Sequence, residues 1–337
     1  MKMQNTGKIQ KVFFILLPIL CIFLSLGIGS YKIDPISIGK IILGKITRQD
    51  YGIDPLTINV FLKTRLPRIF AAALVGMALS LAGAVFQFLF RNPLASPYTL
   101  GVSNGAGFGA ALAIVLSLGT VGIQFFAIGF GLLSVLLTFL LAMRQHHSTN
   151  TLILSGMLVG SFFASLVSFM KFVADPYEKL PQIVYWLMGS LNGSSMRKII
   201  TILPIYILMM GLIFLYRWKI NVMSMGDAEA RSFGIDVDKD RKIVIISAGI
   251  LTALVVSISG IIGWVGIVVP HLARMIVGAD FRKIYFASCS LGISYLVTID
   301  NISRGISSQE IPIGVITGIV GAPVFLYFIY KRKVHWS

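Results

Sequence analysis

The chain has 337 residues, 56% of them hydrophobic and only 12% charged, with a formal net charge of +16. So large an apolar share excludes an ordinary soluble domain and points to a polytopic membrane protein. The basic residues sit at the ends of apolar runs, where they anchor helices and set orientation, which argues against a nucleic-acid partner.

No Asp, Glu, Lys or Arg occurs in 92–143, 145–170, 199–216, 243–273 or 311–330. These runs are continuous rather than alternating, so they read as helices, each needing roughly 20 residues to cross the hydrocarbon. Ten spans are expected. Three lysines (Lys2, Lys8, Lys11) precede the first, 12–29, which reads as a retained span because it is long and lacks an A-x-A cleavage pattern. Segment 30–68 follows, with a short surface helix expected near 35–44. Spans 69–90, 98–119 and 122–142 lead to a turn holding Arg144, His146 and His147, which reads as solvated. After span 151–173, segment 174–198 carries the aromatic patch Tyr185-Trp186-Leu187, suited to a membrane interface or a short re-entrant helix. Spans 199–217, 243–262, 264–279, 284–300 and 311–330 complete an all-α integral membrane protein, with 1–337 read as a single transmembrane domain.

Ten spans put both termini on one side. With the termini inside, inner segments carry 17 of the 29 basic residues and outer ones 12, which favours cytoplasmic termini. Gly101, Gly105 and Gly109, and likewise Gly156 and Gly160, have small-xxx-small spacing. This marks close helix packing or, alternatively, breaks around a path. Cys21 and Cys289 fall within spans and read as inert thiols, with no metal site.

The sequence has no G-x-x-x-x-G-K-[ST], H-E-x-x-H, G-x-S-x-G or C-x-x-C, so the chain itself is expected neither to hydrolyse nucleotide nor to act as an enzyme. Asp175, Glu178 and Asp300 lie near outer helix ends, Lys171 can snorkel outward, and His271 reads as a hydrogen-bonded helix-end residue. A secondary transporter normally keeps ionisable groups deep in the bilayer, so an externally driven transporter fits better. The most densely charged interval between spans is 217–242, with six basic and five acidic residues. Within it Ser224 is expected to cap a short helix carrying Asp227 and Glu229 near its positive end. Ala228 and Ala230 would let another surface approach, Phe233 would be an apolar knob and Gly234 a stop. Asp236 or Asp238 would start the next helix. Such a helix–Gly–helix elbow suits docking of a cytosolic partner; the plainer alternative is a solvated loop.

Several stretches, in order across residues 65–325, resemble one family. They are Arg65-Leu-Pro-Arg68; Arg91-Asn-Pro-Leu-Ala-Ser-Pro97 with Leu100-Gly-Val-Ser-Asn-Gly-Ala106; Trp186-Leu-Met-Gly-Ser190; Gly226-Asp-Ala-Glu-Ala-Arg-Ser-Phe-Gly234; Gly263-Trp-Val-Gly-Ile-Val-Val-Pro-His-Leu-Ala-Arg274; and Glu310-Ile-Pro-Ile-Gly314 with Gly321-Ala-Pro323. The chain is similar to the permease subunits of type II ABC importers for ferric siderophores, haem and cobalamin. The resemblance implies a ten-helix permease in a bacterial cytoplasmic membrane. Its partners would be a second permease copy or related chain, two cytosolic ATPases that use ATP and Mg, and an extracytoplasmic binding protein. This chain would bind no cofactor. The resemblance makes Gly226, Asp227, Ala228, Glu229, Ala230, Arg231, Phe233 and Gly234 the ATPase-coupling loop within 218–242. Arg65, Arg68 and Arg304 would receive acidic residues of the binding protein, and Thr149 and Asn150 would stand at an inner gate. Spans three, five, eight and ten would wall the path, and a ferric siderophore would be the cargo, with haem or cobalamin as alternatives.

Overall fold

The computed structural model describes residues 2–29, 31–143, 149–306 and 310–331, and among them regular structure is all helical. Helix α1 (Lys2–Gly27) is followed by α2 (Pro35–Thr47) and α3 (Pro55–Asn59), which runs through a π-helical turn, Val60–Arg65, into α4 (Leu66–Leu89). A 3-10 turn, Pro97–Leu100, precedes α5 (Val102–Val115). Then come α6 (Gly119–Met143), α7 (Thr149–Val173), α8 (Lys179–Leu187), α9 (Met196–Met223), the short α10 (Asp227–Ser232), α11 (Val237–Ser259), α12 (Val265–Val277), α13 (Phe281–Gly305) and α14 (Ile313–Lys331). Each of the ten expected spans has its helix: α1, α4 to α7, α9 and α11 to α14. The turn with Arg144, His146 and His147 lies outside the described residues.

The surface helix expected near 35–44 is α2. Asp34 starts it by accepting from the Ser37 amide at 2.8 Å, with Pro35 in the first turn, where its missing N–H costs nothing. These bonds from Ser37 hold the Asp34 carboxyl below its ordinary range. The aromatic patch forms α8.

Two helices make the centre. In α4 and α11 78% of the apolar window is buried, against 6% in α1, so α1 is a peripheral helix facing outward. Helix α4 packs on α13, α11, α12 and α9. Glycine permits two of these contacts: a Cβ on Gly76 would sit 2.1 Å from the Gly292 carbonyl oxygen of α13, and one on Gly83 would sit 1.9 Å from that of Gly266 in α12. Ser80 donates across the first contact to the Ser288 carbonyl at 2.7 Å. This interior position explains why α13 is the least apolar of the long helices: its buried Ser288, Ser290, Ser294 and Ser303 face protein rather than lipid. The other small-residue spacings serve packing as well. Gly105 and Gly109 admit the α6 carbonyls of Phe130 and Phe126, and Gly156 admits the Thr99 carbonyl.

Helices α5 and α12 have 14 and 13 residues, about 20 Å each and too short to cross roughly 30 Å of hydrocarbon alone. Each is preceded by irregular backbone, 92–101 and 260–264, and the two irregular stretches meet. The Tyr98 hydroxyl donates to the Ile262 carbonyl, and Gly266 lies under the Pro97 ring. Irregular backbone is tolerated at membrane depth only when protein buries it or it lines a cavity; here Ala95, Ser96 and Pro97 are buried.

Candidate functional site

Two charged clusters sit at opposite ends of α4, about 36 Å apart by its 24 residues. One is the elbow around α10. Alternating helix directions place the starts of α11 and α13, and residues 2 and 331, at that same end.

The elbow is a defined motif. Gly226 precedes α10, and Asp227 is its first residue. The chain leaves α10 through a Schellman turn. The Gly234 amide donates to the Arg231 carbonyl at 2.9 Å and the Ile235 amide to that of Ala230 at 3.1 Å, with Gly234 at φ +76°. Asp236 then caps α11, accepting from the Lys239 amide at 3.1 Å. Phe233 is 61% exposed, and Ala228 and Glu229 also face outward.

Two expectations for this loop are corrected. Ser224 does not cap α10: it ends α9, and its hydroxyl donates back to the Asn221 carbonyl at 2.7 Å. Its place before the helix is taken by Gly226, leaving the Asp227 carboxylate for Arg241 at 2.5 Å and Arg91 at 3.5 Å. Ala230 is fully buried in the central apolar core, so it seats the elbow on the bundle rather than meeting a partner. Lys219–Asp240 at 2.7 Å and Arg231–Asp238 at 3.4 Å add further braces. Arg91, Lys219, Asp240 and Arg241 were not singled out from sequence, because their pairings span non-local distances along the chain.

The second cluster is at the start of α4. Arg65, Arg68 and Arg304 come together there, but they are 4%, 4% and 6% exposed. Arg68 donates from Nε to Asp300 Oδ1 at 2.7 Å and from Nη1 to both Glu310 oxygens at 2.7 Å. Arg304 Nε lies 3.0 Å from Asp300 Oδ2, an ion pair one helical turn apart. Its Nη1 donates to the Ile28 carbonyl, and Nη2 to Ser25 Oγ and Asn301 Oδ1. Arg65 donates to the Leu26 and Tyr31 carbonyls. Arg65, Arg68 and Arg304, expected to receive acidic residues of a binding protein, are thus brought together but buried, and backbone carbonyls after α1 and the carboxylates of Asp300 and Glu310 hold most of their donors internally. Asp300 was legible in principle, since it stands one turn before Arg304, the spacing of a helical ion pair.

Between the two clusters three segments meet at backbone contact. Gly189, after α8, and Gly260, after α11, have φ +71° and +66°, and Gly314 opens α14. A Cβ on Gly260 would sit 2.2 Å from the Trp186 carbonyl oxygen, and one on Gly314 2.2 Å from that of Met188. The α8 end, the α11–α12 break and the α14 start are therefore packed backbone against backbone. Thr149 and Asn150 are the first residues of α7, and Asn150 is exposed.

Comparison with known proteins agrees with this architecture. The model of the FecCD transport family matches residues 16–331. The molybdate import system permease protein MolB of Haemophilus influenzae is 39% identical over 319 residues, 94% of each chain. A cobalamin import system permease protein, BtuC of Halobacterium salinarum, is 38% identical and covers 83% of this chain and 76% of its own. A probable iron chelatin transport system permease of Helicobacter pylori is 37% identical over 81% of this chain and 83% of its own. A solved metal-chelate type ABC transporter in an inward-facing conformation superposes with a TM-score of 0.85 at 36% identity, covering 95% of this chain and 98% of that one. The chain belongs to the FecCD transport family and is a multi-pass permease subunit of an ABC importer.

Proposed function

We propose that this permease forms half of a translocation path for a metal-bearing compound, a ferric siderophore by our reading, in a bacterial cytoplasmic membrane. A second permease chain forms the other half. Support comes from α7, whose Leu154, Leu158, Phe162 and Phe169 are exposed on a helix assigned to the path side. Two cytosolic ATPases, using ATP and Mg, drive the pair, and this chain binds no cofactor of its own.

The observation that carries the reading is the elbow: a short helix, sealed by a Schellman turn and braced by ion pairs, that projects Phe233 and Glu229 from a chain without a phosphate-binding loop. The elbow end faces the cytoplasm, and the outward face of residues 226–234, with Ala228, Glu229 and Phe233, seats in the ATPase. ATP binding moves α10. Arg241, paired with Asp227, and Asp238, paired with Arg231, pass that motion to α11, whose far end is the break at 260–264. The arginine end faces outward and receives acidic residues of a binding protein, with Arg65, Arg68 and Arg304 as the attracting charge. Thr149 and Asn150 stand at the inner gate. No fixed charge need hold the cargo along the way, so a bulky chelate passes without being trapped.

Molybdate is the second reading, favoured by the identity to MolB across 94% of the chain. The experiment is uptake into lipid vesicles holding the permease, its ATPase and its binding protein, supplied in turn with a ferric siderophore, haem, cobalamin and molybdate. Accumulation of the ferric siderophore that needs ATP is the expected result. Uptake of molybdate alone would replace the cargo, and uptake without the ATPase would overturn the ABC mechanism.

A further inference from the structure

The outer arginine cluster has an imbalance. Three guanidiniums meet two carboxylates, Asp300 and Glu310, leaving one excess positive charge among the described residues. Buried charge is costly unless paired. The two carboxylates are not equivalent. Asp300 is fully buried within α13, between Arg68 and Arg304. Glu310 lies outside any helix and is 26% exposed, so it can leave without unpacking a helix.

Glu310 also grips Arg68 imperfectly. Both of its oxygens fall on Nη1, while Nη2, buried, has no partner among the described residues. A carboxylate approaching end-on would engage Nη1 and Nη2 together, the parallel two-bond geometry that makes arginine–carboxylate pairs strong. An incoming acid thus gains a bond that Glu310 does not make.

We propose that Glu310 is an internal occupant of the Arg68 site and is displaced by an acidic side chain of the arriving binding protein. This rests on the reading above that the arginine end receives that protein. Displacement frees the segment leading into α14. Ile311 holds that segment to α13 through the Ser303 hydroxyl at 2.6 Å, and the Gly314 amide reaches the Gly189 carbonyl at 3.4 Å. Docking therefore reaches the crossing of α8, the α11–α12 break and α14. In the undocked permease Glu310 keeps Arg68 occupied and α14 in place.

The test uses the full chain assembled with its ATPase in lipid nanodiscs and its own substrate-free binding protein as the probe. Glu310→Gln should raise affinity about tenfold, on the order of one charge-assisted contact, and speed amide exchange at residues 311–317 before docking. Glu310→Asp, with a shorter reach to Arg68, should move both readouts the same way by less, and it serves if Glu310→Gln does not assemble. Unchanged or weaker affinity in an assembled Glu310 variant overturns the proposal. Arg68→Gln separates the two readings. If it weakens binding while the Glu310 variants give no gain, docking stands and displacement falls. If it leaves affinity unchanged, the docking reading fails as well.

Discussion

The two ends of α4 use the same chemistry to opposite purpose. At the elbow, carboxylates and cations are mostly half exposed, on a segment rich in both signs, and their pairs fix a short helix whose Phe233 points away from the bundle. At the other end the pairs are enclosed by α1, α4 and α13, and they lock helix ends together. An exposed pair is worth about 0–1 kcal/mol, whereas removing one partner of a buried pair costs about 3–5 kcal/mol. Charge at the elbow shapes a surface, and charge at the arginine end holds the fold.

The largest expected effect breaks that contrast at its buried side. Asp300→Asn leaves Arg68 and Arg304 short of their shared acid and should destabilise the chain by about 3–5 kcal/mol, read as a lower unfolding midpoint in detergent. Arg231→Ala at the elbow, which removes the exposed pair with Asp238, should cost at most about 1 kcal/mol. Comparable losses from the two variants would erase the distinction. Next in size is Gly83→Ala, which drives a methyl to 1.9 Å from the Gly266 carbonyl oxygen. Forcing α4 and α12 apart should cost about 1–3 kcal/mol, checked by the same unfolding measurement.

What the sequence revealed follows from the range of each interaction. Apolar runs are local, so a helix for each of the ten expected spans, six of them long and apolar enough to cross a membrane among the described residues, and the Gly234 stop could be read directly, and Asp236 was one of two caps foreseen. Pairings across the fold could not. Arg68 meets Glu310 across 242 positions, so nothing in the local pattern distinguishes a buried, paired arginine from one offered to a partner. Ala230 misled for a related reason: a small residue suits either a partner's approach or a tight seat on the core, and only the packing of Ile235 and Val237 beside it decides. The broken spans were blurred too, because a charge-free run looks alike whether its backbone is helical, as in α5, or irregular, as at 92–101.

Gly234→Ala tests whether the shape of the elbow, rather than its charge, is what matters. Alanine at φ +76° is strained, at about 1 kcal/mol. The Schellman turn should loosen, and ATP-driven uptake should fall several-fold while the bundle stays folded. Full uptake by this variant would show that the turn is not needed to present α10.

Phe233→Ala should have the smallest effect on stability and among the largest on function, and that mismatch is its value. The side chain is 61% exposed and buries little of the core, so the unfolding midpoint should stay within about 0.5 kcal/mol of the parent. If Phe233 is the knob that seats in the ATPase, the variant should assemble in the membrane yet lose most ATP-dependent uptake and most affinity for the ATPase, as expected when a central aromatic anchor is truncated. Glu229→Gln, beside it on the same outward face, should weaken ATPase binding less and more so at low salt, since only charge is removed. If Phe233→Ala instead kept uptake while Glu229→Gln abolished it, the elbow would act through charge, and the contrast between a shaped surface and a buried lock would have to be redrawn.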